Sequence, residues 1–137
     1  MAARAAARLA RFVTVGLAET DLSLPQYRLL AFLDDGGTAH ADLAQLLTVS
    51  SPSVTALVDG LVARDYVERR KDPEDGRRID FLLTSDGHDA LEAADNAVVA
   101  CLTELGNHLG EEEAETAVRG LELADEAIRR HREAGGR

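Results

Sequence analysis

The hydrophobic period of this chain changes near residue 65, and that change constrains the fold more than any other feature. Before it, apolar residues recur three or four positions apart, as Val54, Leu57, Val58, Leu61 and Val62. This spacing places them on one face of a helix. After it the period is two, which predicts strands at 66–70 and 79–83. Residues 71–78 between them are rich in turn formers, so the two strands are predicted to form a hairpin.

A shorter helical pattern precedes this helix. Residues 42–47 are apolar at helical spacing, and residues 48–50 interrupt the pattern. Ser51 and Pro52 then suit the cap and the first position of the next helix. Two short helices, a tight turn and a hairpin in this order predict a winged helix-turn-helix, a module whose second helix can enter a DNA groove.

The flanking segments also predict helices. Ser23 and Gln26 have the spacing of a capping box, and a heptad-like pattern begins near residue 85. We interpret the Ala/Arg-rich N-terminus as an amphipathic helix, because it has no cleavage-like site. The predicted fold is mainly α (α+β). It is a single domain over 1–137, with a winged helix-turn-helix at 23–84 and dimerisation helices at 1–20 and 85–137.

The apolar stripes of the terminal helices are predicted to pair two copies of the chain, because one small chain can cover them only in part. A two-fold dimer would place two recognition helices about 34 Å apart on DNA and would bind a pseudo-palindromic site. The residues predicted at this interface are Leu9, Leu91, Val98, Cys101, Leu105, Val118, Leu121 and Ile128.

The net charge of −10 is concentrated away from the predicted DNA-binding part. Residues 84–137 carry 13 acidic and 5 basic side chains, whereas residues 43–83 carry 7 and 6. The basic residues of the latter segment lie at or near the hairpin, where phosphate or minor-groove contact is expected. They are Arg64, Arg69, Arg70, Lys71, Arg77 and Arg78. Acidic neighbours weaken their field, so we expect salt-sensitive and modest affinity.

Four motifs occur in an order and at spacings that are specific when taken together. They are Asp-Leu-Ala-x-Leu-Leu-x-Val-Ser at 42–50, Ser-Val-Thr-x-Leu-Val-Asp-x-Leu at 53–61, Asp-Pro-x-Asp-x-Arg at 72–77 and Leu-Thr-x-x-Gly at 83–87. The chain resembles the multiple-antibiotic-resistance regulator (MarR) family over nearly its whole length. This resemblance implies a homodimeric bacterial transcription regulator, a repressor whose affinity for double-stranded DNA falls when a small molecule binds.

The resemblance also implies roles for individual residues. Arg77 matches the family's wing arginine, which enters the minor groove, and Asp75 matches the acid that orients it. The alternative for Arg77 is a surface ion pair of little energetic value. The hydroxyls of Ser51, Ser53 and Thr55 lie where they can reach base edges or phosphates, although Ser51 can equally serve as a helix cap.

The recognition helix departs from the family pattern. Ala56 and Gly60 stand where the family commonly has basic residues, and Gly60 lowers helix propensity by roughly 1 kcal/mol relative to alanine. Ala56 could instead contact thymine methyl groups. The alternative function is therefore a winged-helix protein-interaction module with weak or no DNA binding.

A small aromatic or amphipathic effector is implied between the dimerisation helices and the winged module. Each residue expected there serves equally well as a core residue. These residues are Phe12, Val15, Tyr27, Leu30 and His88.

Other classes of function are disfavoured. The four histidines lack metal-ligand spacing, so we expect no metal or other cofactor, and no catalytic constellation favours an enzyme. No apolar run is long enough to cross a membrane. The single cysteine fits a reducing cytoplasm.

Overall fold

The computed structural model describes residues 1–37 and 51–135. Within these residues it contains α1 (Ala2–Leu17), α2 (Leu24–Asp34), α3 (Ser51–Ala63), β1 (Val67–Lys71), β2 (Ile79–Leu83), α4 (Ser85–Gly106) and α5 (Glu111–Glu133). The predicted mainly α class with a two-stranded hairpin is confirmed. The predicted first helix of the helix-turn-helix, residues 42–47, lies outside the described residues.

The wing consists of β1, β2 and the connection 72–78. Its strands are antiparallel, with Val67 opposite Leu83 and Arg69 opposite Phe81. Val67 and Phe81 are buried, whereas the rest of β1 is exposed. The wing is therefore anchored at its base by apolar side chains, and its tip extends into solvent.

The core is mainly aliphatic, and part of it forms where the inner face of α3 meets α2 and the wing base. Burial of each such side chain contributes roughly 1.5–3 kcal/mol. On α3, Val54, Val58 and Leu61 are buried, which confirms the predicted helical stripe. Ser53 and Ala56 lie exposed on the other side of this helix. The most deeply buried hydrophobic residues, at 0–1% exposure, are Leu29, Leu30, Val54, Val58, Leu61 and Ala94.

Helix α1 covers part of the stripe on α4. A Cβ atom on Gly16 of α1 would lie 3.2 Å from Cβ of Cys101, so the two helices approach closely. Leu91 and Val98 are 6% and 8% exposed within the single chain. These two residues, predicted at the dimer interface, therefore belong to the chain's own core, and their contact with a second copy stays a prediction. The heptad period showed that this face needs a cover, but it could not show which helix provides it.

The first turn of α4 is seated directly on the wing base. The Thr84 hydroxyl accepts a hydrogen bond from the Gly87 N–H (3.0 Å) and donates one to the Asp65 carbonyl. A Cβ atom on Gly87 would lie 2.0 Å from the Tyr66 carbonyl oxygen. The Leu-Thr-x-x-Gly motif is thus a packing motif, in which threonine caps α4 and glycine permits the close approach.

We expect Gly87→Ala to lower the free energy of unfolding by about 2–3 kcal/mol, because the added methyl group collides with backbone that cannot easily move. Gly60→Ala is the matched control, since a Cβ atom there meets nothing within 4 Å. The control should raise stability by up to about 1 kcal/mol through helix propensity. Urea denaturation followed by circular dichroism measures both changes, and equal effects would contradict the packing argument.

Candidate nucleic-acid interface

The tip of the wing is organised by two aspartates. The Asp72 carboxylate accepts a hydrogen bond from the Glu74 N–H (2.9 Å), and the Asp75 carboxylate accepts one from the Arg77 N–H (3.1 Å). The Asp72 N–H donates to the Arg78 carbonyl (3.0 Å) and closes the turn. Such side-chain contacts to nearby backbone amides are how aspartate stabilises turns. Asp75 therefore holds the backbone of Arg77, rather than its guanidinium.

Arg77 and Lys71 differ from the other basic residues of the wing region. Both are exposed, and neither forms an ion pair with another described residue. The surface ion pair considered as an alternative role for Arg77 is therefore absent from the described part of the chain. The other basic side chains of this region are paired, as Arg64–Asp21, Arg69–Asp59, Arg70–Glu68 and Arg78–Asp80.

The outer face of α3 presents small and hydroxylated side chains. Ser53, Thr55 and Ala56 are exposed, and there is open space beside Gly60. Asp59 on α3 pairs with Arg69 on β1, which neutralises an arginine where the helix meets the wing. Sequence reasoning missed this pair. A DNA surface built this way would depend on close approach and on the wing more than on the charge of the helix.

Arg64 is engaged away from the wing tip, in a cluster that sequence reasoning also missed. Its guanidinium pairs with Asp21 and lies 4.8 Å from the centre of the Tyr66 ring. The Tyr66 hydroxyl donates to Asp21 at 2.7 Å, across 45 residues of sequence. The hydrogen bond from Tyr66 and the charge of Arg64 lower the pKa of Asp21. Arg64 is therefore not a free cation of the predicted DNA-binding surface.

The residues predicted around an effector occupy different environments. Leu30 is fully buried and is a core residue, whereas Phe12 and Val15 are 41% and 56% exposed on α1. The half-buried Tyr27 donates to Asp95 at 2.6 Å, and both its burial and this carboxylate raise its pKa. His88 is exposed, with Nδ1 3.2 Å from a carboxylate oxygen of Asp34. An open groove of about 560 Å³ beside α4 is lined by other residues, including Thr20, Asp21, Tyr66 and Asp89.

Metal sites and membrane-spanning helices are both absent from the described ranges 1–37 and 51–135. These ranges contain no group of three or more histidine, cysteine, aspartate or glutamate residues that could hold a metal ion. None of the helices found there is long and apolar enough to cross a membrane. The thiol of Cys101 lies between α1 and α4 and donates to the Phe12 carbonyl at 3.4 Å.

Residues 20–78 match the model of the MarR family. The matched segment, which runs from the connection between α1 and α2 to the wing, is therefore similar to a MarR-family winged helix-turn-helix. The HTH-type transcriptional repressor YetL of Bacillus subtilis (strain 168) is 34% identical over 74 residues, which are 52% of this chain and 44% of YetL. The aligned segment thus spans about half the length of the curated relatives that the chain matches.

The same fold extends over the flanking helices. RV1404 from Mycobacterium tuberculosis has a TM-score of 0.76 at 26% identity, covering 90% of this chain and 86% of RV1404. A point mutant of Staphylococcus aureus MepR, bound to an oligodeoxyribonucleotide, has a TM-score of 0.66 at 23% identity, covering 91% and 93%. At this identity, the likeness to MepR shows the fold alone. Together with the family match, these comparisons confirm the resemblance that the four motifs indicated.

Proposed function

We propose that this chain is a DNA-binding transcription regulator, a repressor that binds a pseudo-palindromic operator as a homodimer. The observation that carries the proposal is the wing tip, where Arg77 is exposed and forms no ion pair with a described residue. An arginine at a protruding tip suits a narrow and electronegative minor groove. The naming of the 34% identical YetL as a transcriptional repressor supports the same function, and the fold is one that MepR has in complex with an oligodeoxyribonucleotide.

Most arginines near the wing are neutralised, so binding should rely on the placement of a few contacts rather than on bulk charge. Selection of bound duplexes from a random pool tests the proposal directly. An enriched inverted repeat is the expected result. A salt titration on that repeat should show affinity falling steeply with ionic strength.

A second candidate is a winged-helix protein-interaction module with weak or no DNA binding. It is favoured by the Asp59–Arg69 pair on the recognition surface and by the absence of cations on the outer face of α3 among the described residues. If no sequence is enriched and binding to any duplex stays weak at low salt, this candidate replaces the first.

We expect Arg77→Ala to weaken operator binding by ~1–3 kcal/mol, roughly 5- to 150-fold, because it removes the guanidinium placed for the minor groove. Arg119→Ala is a matched control, since it removes the same charge from α5, where Arg119 pairs with Glu122 at 3.0 Å. Fluorescence anisotropy at one fixed salt concentration measures both. Equal affinities for wild type and Arg77→Ala would remove Arg77 from the interface.

The homodimer is proposed from the exposure of α5. None of its residues is buried in the single chain, although the helix carries an apolar stripe. Val118, Leu121 and Ile128 are 57%, 42% and 55% exposed on that stripe, and Leu105 near the end of α4 is 36% exposed. A second copy would cover these side chains, together with Leu9 and Cys101, which are partly exposed.

We expect Leu121→Glu to convert the dimer to a monomer at micromolar concentration, because it places a charge inside the proposed interface. Leu123→Glu is the control. Leu123 is 52% exposed and lies about 200° further round α5, so this change should leave the dimer intact. Light scattering after size-exclusion chromatography distinguishes the two states. A stable wild-type monomer of 14.7 kDa would contradict the proposed assembly.

The effector belongs to the same proposal. A ligand lowers DNA affinity only if it binds the released conformation more tightly than the DNA-competent one. Exposed Phe12 and Val15 with half-buried Tyr27 favour a small aromatic or amphipathic molecule. A coupling of ~1–3 kcal/mol is typical. Phenolic carboxylates that raise the melting temperature yet leave operator affinity unchanged would argue against this coupling.

The proposal also includes the setting in which the protein acts. A DNA target and a single cysteine are consistent with the cytoplasm of a bacterium. The curated relatives are transcription regulators, not enzymes, and a regulatory function is what we propose for this chain.

A further inference from the structure

The connection between α1 and α2 is a fixed support. Leu22 is 4% exposed and anchors the connection in the core. The Thr20 hydroxyl donates to the Leu17 carbonyl at 2.7 Å and accepts the Leu22 N–H at 3.2 Å. Asp21 lies between these two anchored residues. Its position relative to α1 is therefore held by backbone contacts that do not involve the wing.

Arg64 and Tyr66, the two partners of Asp21, flank the turn that joins α3 to β1. Asp65 between them adopts a left-handed conformation with φ of 59°. The Tyr66 N–H donates to the Leu61 carbonyl of α3 at 2.9 Å, and its own carbonyl accepts the Thr84 N–H at 3.2 Å. Any movement of α3 or of the wing base therefore moves these two side chains.

All three side chains contact one another. The same carboxylate oxygen of Asp21, Oδ2, accepts the Tyr66 hydroxyl at 2.7 Å and pairs with the Arg64 guanidinium. The guanidinium also lies over the Tyr66 ring, 4.8 Å from its centre. A cluster with three mutual contacts restrains orientation more than one ion pair between flexible side chains.

We propose that Asp21 is a positioning residue for DNA binding, which fixes the reading head, α3 with the wing, relative to the dimerisation helices. The proposal rests on the DNA-binding function proposed above. Two reading heads must match half-sites about one helical turn apart, so a small rotation at the wing base matters most when both heads bind together. Because the Asp21 side chain is 60% exposed, its loss should change the orientation of the reading head more than folding stability.

The experiment compares Asp21→Ala with Glu19→Ala, which removes the same charge from an exposed residue that forms no ion pair with another described residue. Binding is measured to a duplex with two half-sites and to one with a single intact half-site. Asp21→Ala should weaken two-site binding roughly two- to fivefold and leave single-site binding unchanged. Asp21→Glu, which keeps the carboxylate, should restore most of the loss.

Other outcomes overturn the proposal. Equal losses on both duplexes, or the same loss with Glu19→Ala, would show that Asp21 does not act through the relative orientation of the heads. Tighter binding of Asp21→Ala to both duplexes would mean that freed Arg64 contacts phosphate. In that case Arg64→Gln in the Asp21→Ala background should reduce the salt slope by about one.

A measurement without DNA separates failure of this proposal from failure of the proposed function. Spin labels at Glu74→Cys on the wing and Glu104→Cys on α4, in a Cys101→Ala background, report the distance between wing and scaffold. Dilution with unlabelled protein isolates the distance within one chain. Asp21→Ala should broaden the distance distribution and Glu19→Ala should not. If the wild-type protein binds no duplex, the proposed DNA-binding function is refuted. Independently of that result, a distance distribution that Asp21→Ala does not broaden would overturn the positioning role of Asp21.

Discussion

The inner face of α3, the recognition helix, packs against α2 and the wing base. This burial determines which side of α3 faces outward. Val54, Val58 and Leu61 are at most 1% exposed, and aromatic residues form only 4% of the chain. A core of aliphatic side chains must pack closely to be stable, because each contact is weak. The outer face of α3 and the wing tip are thereby presented on a rigid support.

Ion pairs reduce the positive charge that this surface presents. Acidic side chains hold most of the arginines around the wing, as in the pairs of Arg69 with Asp59 and Arg70 with Glu68. Positive charge without a described partner is left at Arg77 and Lys71. The proposed DNA contact therefore depends on where a guanidinium is placed, which is consistent with an acidic protein whose excess charge lies in the C-terminal helices.

The scaffold helices divide into a covered part and an uncovered part. Helix α1 packs against the middle of α4 near Val98, and α2 contacts the first part of α4 through the pairs Tyr27–Asp95 and Asp34–His88. Leu91 and Val98 are therefore core residues. The end of α4 and the apolar stripe of α5 remain exposed in the single chain, as at Leu105 and Leu121. This division explains why a second copy is proposed against α5 rather than along the whole of α4.

The sequence by itself determined the elements and their local chemistry. Its periods predicted the helices and the hairpin, and the Ser23–Gln26 capping box is confirmed by two hydrogen bonds. The exposed position of Arg77 at the wing tip could be predicted from its motif, because the turn that holds it is formed by neighbouring residues. The tertiary structure alone decided that Val98 is covered by α1 and that Arg64 is held by Asp21. A hydrophobic period shows that a face must be buried, but not against what, and an ion pair between distant residues leaves no signal in local spacing.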